Sequence, residues 1–207
     1  MSTRTKLPAR RKVGRPGAGG DVRGAIVAAA LDQLEATGSP DRVTVAAIVE
    51  EAGCTPPSLY HYWPKRELLL QEASARGWAQ FRASQAGAAA EHHDPIERLR
   101  LRGRSYLDFA LAKPALFRVL FLEPPAAGPA EPPAETGSAL HDLVTDVTAA
   151  MATGQLRPTD PLITALALWS AMHGVAALWA VTPNLPADLA HAVGDLAQEA
   201  VLTGLAA

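Results

Sequence analysis

Ser58, Tyr60, His61, Tyr62, Lys65 and Arg66 place hydroxyl, imidazole, aromatic and cationic groups within nine residues of chain. Side chains of these types donate to, accept from and stack on base edges and phosphates, provided that a rigid element holds them. The chain around them supplies such an element. Thr44 can cap a helix whose buried stripe is Val45, Ile48, Val49 and Ala52, at amphipathic spacing. Gly53 then allows a left-handed turn, because it has no Cβ. Thr55 is the next N-cap, followed by Pro56 and Pro57, where a missing N–H costs little. The helix from Pro56 to about Trp63 turns Leu59 and Trp63 inward, and Pro64 stops it. So short a helix is marginal alone and must be held by its neighbours. Helix, glycine turn, short aromatic helix is the layout of a DNA-reading helix-turn-helix, with Thr44, Thr55 and Pro57 completing the expected DNA-facing set.

Three further groups of residues could do chemistry. Residues 1–20 carry Arg4, Lys6, Arg10, Arg11, Lys12 and Arg15 with no acid, and Gly14-Arg15-Pro16 resembles the core of an AT-hook, with Val13 at its usual preceding arginine. Such an arm either places Arg15 in a narrow minor groove or adds generic phosphate attraction. Arg98, Arg100, Arg102 and Arg104 flank the apolar stripe Ile96, Leu99, Tyr106 and Ala110, as an anion-binding rim or as a solvated face neutralised by Glu97 and Asp108. Trp169 and His173 are four residues apart, hence stacked on one helical face. His173 either donates to a ligand or is a core histidine paired to a backbone carbonyl. Phe109, Phe117, Phe121 and Met172 would be further pocket walls.

The elements that must position these groups are helical throughout. Nine helices are expected: 22–37, 45–52, 56–63, 65–90, 95–113, 114–122, 138–153, 161–181 and 186–205. Asp94-Pro95 and Asp160-Pro161 are start signals, and the stretch 123–137, with five prolines and two glycines, is expected to be a mobile linker. Leu162–Val181 is twenty residues without a charge, long enough to cross a bilayer. It also holds Thr164, Ser170, His173 and Gly174, and Arg157 is the nearest flanking cation, so a buried helix and no membrane partner are expected.

Charge is unevenly spread. Residues 1–66 hold ten Lys and Arg against six Asp and Glu, while residues 67–207 hold nine against fifteen. A basic end on an acidic body fits a protein that touches nucleic acid with one end. The single cysteine, Cys54, and a polar, basic start without a secretory signal point to the cytoplasm. No glycine-rich phosphate loop, metal-ligand spacing or nucleophile with a recognisable base is seen. An enzyme and a cofactor are therefore not expected, although an enzyme or carrier using a His173 pocket is the alternative of a different class.

On these residues a family resemblance rests. Ile26–Leu70 resembles the DNA-binding domain of TetR-type transcriptional regulators through Thr44-Val45, Ile48, Glu51-Ala52-Gly53, Ser58-Leu59-Tyr60, Pro64 and Leu69-Leu70. It departs where the usual lysine is Arg66, preceded by Lys65, and where the usual phenylalanine is Trp63. Trp169-x3-His173-Gly174 resembles the WHG motif of one C-terminal subgroup, and Tyr106–Ala110 with Pro114–Arg118 fits the same subgroup. The resemblance implies an all-α homodimeric repressor: an arm at 1–20, a DNA-binding domain at 21–66 and a ligand-binding, dimerising body at 67–207. It would leave a palindromic operator when a small hydrophobic effector enters; an activator of the same fold is the alternative. Dimerisation is expected through the last two helices, at Ala176, Leu189, Val193, Leu196 and Ala200.

Overall fold

A computed structural model of the protein describes residues 21–89, 92–125, 138–182 and 185–207. The basic arm with Arg15, and 126–137 of the expected linker, lie outside the described residues. Among the described residues there are nine α-helices and no strand. They are α1 (Val22–Thr37), α2 (Val45–Ala52), α3 (Pro56–Tyr62), α4 (Arg66–Ala89) and α5 (Pro95–Ala112), then α6 (Pro114–Phe117), α7 (Ala139–Ala152), α8 (Pro161–Val181) and α9 (Ala187–Gly204).

Local chemistry sets the helix starts. Asp21, Thr44, Asp94, Ser138 and Asp160 each accept a backbone N–H of the first turn, from Gly24, Ala47, Ile96, His141 and Leu162 respectively. Caps of this kind contribute about 1 kcal/mol each. Thr55 departs from the expectation. It stands at the N-cap of α3, but Pro57 has no N–H to offer, and its hydroxyl instead pairs with that of Ser58 at 3.0 Å. The expected helix 114–122 is α-helical only over its first four residues. Arg118–Leu122 then widens into a π-helical turn closed by Glu123 N–H donating to Arg118 O at 2.8 Å.

Packing follows two cores. The larger begins at Ile26, Leu34, Ile48 and Leu59, continues along Leu69, Leu70 and Ala73 of α4, and ends in an aromatic cluster between α4, α5, α6 and α8. The smaller joins Leu99, Val147, Leu156, Leu168 and Leu202 at the far end. Helix α5 is central, packing on α4, α7, α8 and α9. The C-terminus is tied back by Arg157 N–H donating to Leu205 O at 2.9 Å.

Candidate nucleic-acid interface and effector cavity

Gly53 takes φ 64°, and the following Cys54 N–H returns to Val49 O at 3.0 Å, so α2 ends and α3 departs at a fixed angle. Leu59 is fully buried, and Trp63 closes α3 from the core side. The Trp63 indole N–H donates to Glu72 Oε2 at 2.9 Å, Arg23 donates to the same oxygen at 2.7 Å, and the Arg23 guanidinium lies 5.2 Å from the centre of the indole ring. This carboxylate, cation and ring clamp the end of the short helix to α1 and α4, giving it the support that its own length cannot. With the inner side pinned, Tyr60 (48% exposed), His61, Tyr62 (42% exposed) and Lys65 stand in solvent, beside exposed Thr55 and Pro57 and half-buried Ser58. Thr44 is also exposed, its hydroxyl engaged as the α2 cap.

Arg66 has a structural role that the sequence did not show. Expected to meet a phosphate, its Nη1 donates to Val43 O at 2.6 Å and Pro40 O at 3.0 Å, so it staples the start of α4 to the turn before α2. These two carbonyls of that turn hold the guanidinium, Pro40 O accepting from Val43 N–H as well. Lys65 carries the free charge at this corner.

In the body, Tyr106 is the hub. Its hydroxyl lies 2.9 Å from His173 Nδ1, and its ring meets Phe81, Phe117, Phe121 and Trp169 at 5.3 to 6.0 Å. Burial pushes the Tyr106 hydroxyl well above the usual phenol range, and burial lowers the pKa of His173. Tyrosine therefore stays protonated, and a neutral phenol and a neutral imidazole share this hydrogen bond. The protein partner of His173 is thus Tyr106 rather than the backbone carbonyl expected of a core histidine; the sequence placed Tyr106 merely in an apolar stripe.

A cavity of about 30 Å³ lies beside this cluster, between α4, α5, α7, α8 and α9. Trp169 and Met172 line it, joined by Tyr106, Gln85 and Gln198, which sequence reasoning did not assign to a pocket, and by Arg102 of the possible anion-binding rim. Phe109, Phe117, Phe121 and His173 are not among its lining residues; Phe117 and Phe121, carried by α6 and its π-turn, pack on Tyr106 of α5 and His173 of α8, and Phe109 of α5 packs on Phe81 of α4. The α5 arginines divide. Arg100 and Arg104 face outward to Glu97, Glu199 and Asp195, whereas Arg98 and Arg102 face inward and share Asp146. Asp108 bonds His191 instead, at 2.7 Å.

Ala176 is a correction. It is buried inside its own subunit, since α5 and α9 pack on that side of α8. Val193 is likewise partly packed on the core. The outward face of α8 carries Ile163 (68% exposed), Leu166, Ser170, Gly174, Leu178 and Val181, and that of α9 carries Leu189, Leu196 (73% exposed) and Ala200. Among the described residues α8 is the one helix long and apolar enough to cross a membrane, and one face of it packs on α5, α7 and α9.

A helix-turn-helix with a supported, solvent-facing third helix, carried on a helical body, is the architecture of a DNA-binding regulator. The chain belongs to the TetR family of bacterial regulatory proteins: residues 26–73 match the family's N-terminal model, and residues 99–201 match the tetracyclin repressor-like C-terminal domain. Among solved structures it is similar to a protein of unknown function from Rhodococcus sp. RHA1, at 25% identity and TM-score 0.75, covering 94% of this chain and 100% of that one. A TetR-family regulator from Pectobacterium atrosepticum is 20% identical with TM-score 0.70, covering 90% and 94%. The regulator FadR from Bacillus subtilis, in complex with stearoyl-CoA, is 16% identical with TM-score 0.70, covering 88% and 99%. No curated protein matches the sequence.

Proposed function

We propose that this TetR-family regulator is a cytoplasmic homodimeric repressor that reads a two-fold operator with α3 and leaves it when a small, largely apolar effector opens the body. The supporting observation is the division of α3: Leu59 and Trp63 are locked inward, while Ser58, Tyr60, His61, Tyr62 and Lys65 are left to meet DNA. Thr44, Thr55 and Pro57 stand beside them at the helix starts.

The dimer is supported by the apolar outer faces of α8 and α9, which lack cover within the subunit. A Cβ placed on Gly174 would meet no atom within 4 Å, so the middle of the α8 face is flat enough for another helix to cross closely. Two such helix pairs would form a four-helix interface, and obligate interfaces of that sort usually bury more than about 2,000 Å².

A cavity of about 30 Å³ is far below the roughly 300 Å³ that ligand pockets need. An effector therefore parts the helices around it. Helix α4 contributes Phe81 and Gln85 to the wall, and at its other end Arg66 holds the turn before α2. Displacing α4 thus moves the reading heads, and a coupling of about 1–3 kcal/mol suffices to release DNA. Gel shift with the DNA upstream of the gene, combined with sedimentation at micromolar concentration, tests this reading. A dimer that binds is expected, and Ile163→Glu with Leu196→Glu should give monomers with weakened binding. A wild-type monomer, or no binding to that DNA, would sink it.

A further inference from the structure

We infer that the cavity beside Tyr106 recognises an amphipathic carboxylate, with Arg102 as the residue that meets its head group. This rests on the reading of the body as an effector-binding domain, and it goes beyond "apolar" to a charge class.

The argument begins with a charge imbalance. Asp146 is buried, and its two oxygens are both taken: Oδ1 by Arg98 Nε and Oδ2 by Arg102 Nε, each at 2.6 Å. Two guanidiniums share one carboxylate, so the network carries one positive charge in excess. Arg98 turns toward the outer end, where Nη1 donates to the carbonyls of His92 and His93 at 3.3 and 3.1 Å. Arg102 is the inner member, its side chain 12% exposed, and it borders the cavity. A surplus cation away from water is costly unless an anion joins it, and its attraction for that anion is strengthened by the low dielectric around it.

The remaining walls select the rest of the ligand. No Asp or Glu is among the described residues lining the cavity, and the lining group that Arg102 meets is the Gln85 backbone carbonyl, at a long 3.5 Å from Nη1. Phe81, Leu143, Leu168 and Met172 offer an apolar surface for the body of the molecule. A planar guanidinium matches a carboxylate in two-point geometry, which favours that head over a neutral one.

Entry has a route as well. Gln198 is buried, and its side chain occupies the space left by Gly103, where even a Cβ would collide with it. Its Nε2 donates to Leu99 O at 2.6 Å, and that carbonyl is already an acceptor inside α5. Withdrawing Gln198 orphans no backbone group, so a ligand can displace it at modest cost.

Two matched pairs of probes test the inference on the full chain: octanoate against 1-octanol, and phenylacetate against phenylacetamide, by calorimetry at neutral pH, where the acids are ionised. For at least one pair the acid should bind about tenfold or more tighter than its neutral partner. Arg102→Met should erase that preference while leaving the neutral probe within about twofold, and Arg102→Lys, which keeps the charge without the fork, should retain part of it. Arg100→Met, on the outer face of the same helix, should leave the preference intact. Equal affinities for acid and neutral probe, an unchanged preference in Arg102→Met or, where that variant does not fold, in Arg102→Lys, or no binding of either acid would overturn the inference. A parallel gel shift separates the failures: retained operator binding by a protein indifferent to carboxylates leaves the regulator reading standing and removes only this one.

Discussion

The head and the body bury different things. Around α3, the inward groups are Leu59, Ile48 and the clamped Trp63, and the Arg23–Glu72 ion pair lies at the surface, with side chains 52% and 29% exposed. In the body, Gln85, Gln198, Ser105 and Asp146 are buried among aromatic and aliphatic side chains. The head spends its packing on holding one short helix still, as a rigid duplex with fixed groove spacing requires. The body keeps polar groups beside a small cavity. In the proposed function, DNA meets a surface pinned from behind, and an effector meets an interior that holds polar groups.

The largest effect is expected from breaking the clamp. Trp63→Ala removes a buried ring together with the Glu72 hydrogen bond and the Arg23 contact, and should destabilise the head by about 3–5 kcal/mol. Hydrogen exchange should then show α2 and α3 opening while α5, α8 and α9 stay protected; uniform loss of protection would show that the two regions unfold as one.

Tyr60→Ala combined with Lys65→Ala leaves the packing alone, because both side chains are exposed. At about 2 kcal/mol per lost DNA contact, affinity should fall roughly a thousandfold for each half-site read, at constant stability. Wild-type affinity in a footprint titration would remove both residues from the interface.

Trp169→Ala acts on the other side of the comparison. Half-buried at the cavity wall, it should lower stability by about 2 kcal/mol, spare the dimer and change the effector response. An unaltered response would return Trp169 to ordinary core.

The smallest expected effect is on pH dependence. Burial lowers the His173 pKa, so on acidification the unfolded chain takes up a proton at this site before the folded one does. Stability contributed by the neutral, Tyr106-bonded imidazole is present above the ordinary histidine value of about 6.5 and declines as pH falls below it. Urea midpoints at about pH 8 and pH 5 should therefore differ less in His173→Gln than in the wild type; equal differences would show that His173 titrates alike in both states.

The reading surface was far more legible than the cavity. Thr44, Gly53, Thr55-Pro56 and Pro64 lie within 21 residues of chain and act on their own backbone, so the helix-turn-helix can be read without knowing what packs behind it. The cavity draws Gln85, Arg102, Tyr106, Trp169 and Gln198 from four helices, and no local rule joins a glutamine of α4 to one of α9. Phe109, Phe117 and Phe121 were plausible walls by type, but the π-turn at Arg118–Leu122 turned the neighbouring rings into core.

By itself the sequence determined where most helices begin, the turn before α3, and the family, because caps, prolines and a left-handed glycine act over three or four residues. Tertiary structure decided how each helix is rotated about its own axis. Helix α8 is apolar all round, so its composition could not tell inward Ala176 from outward Ile163; that was set by α5, α7 and α9 closing on one side. In α5 the four arginines alternate, and only the arrival of Asp146 from α7 chose Arg98 and Arg102 for the interior. Arg66 carries the same lesson: its charge is written in the chain, but two carbonyls more than twenty residues away determine what it holds.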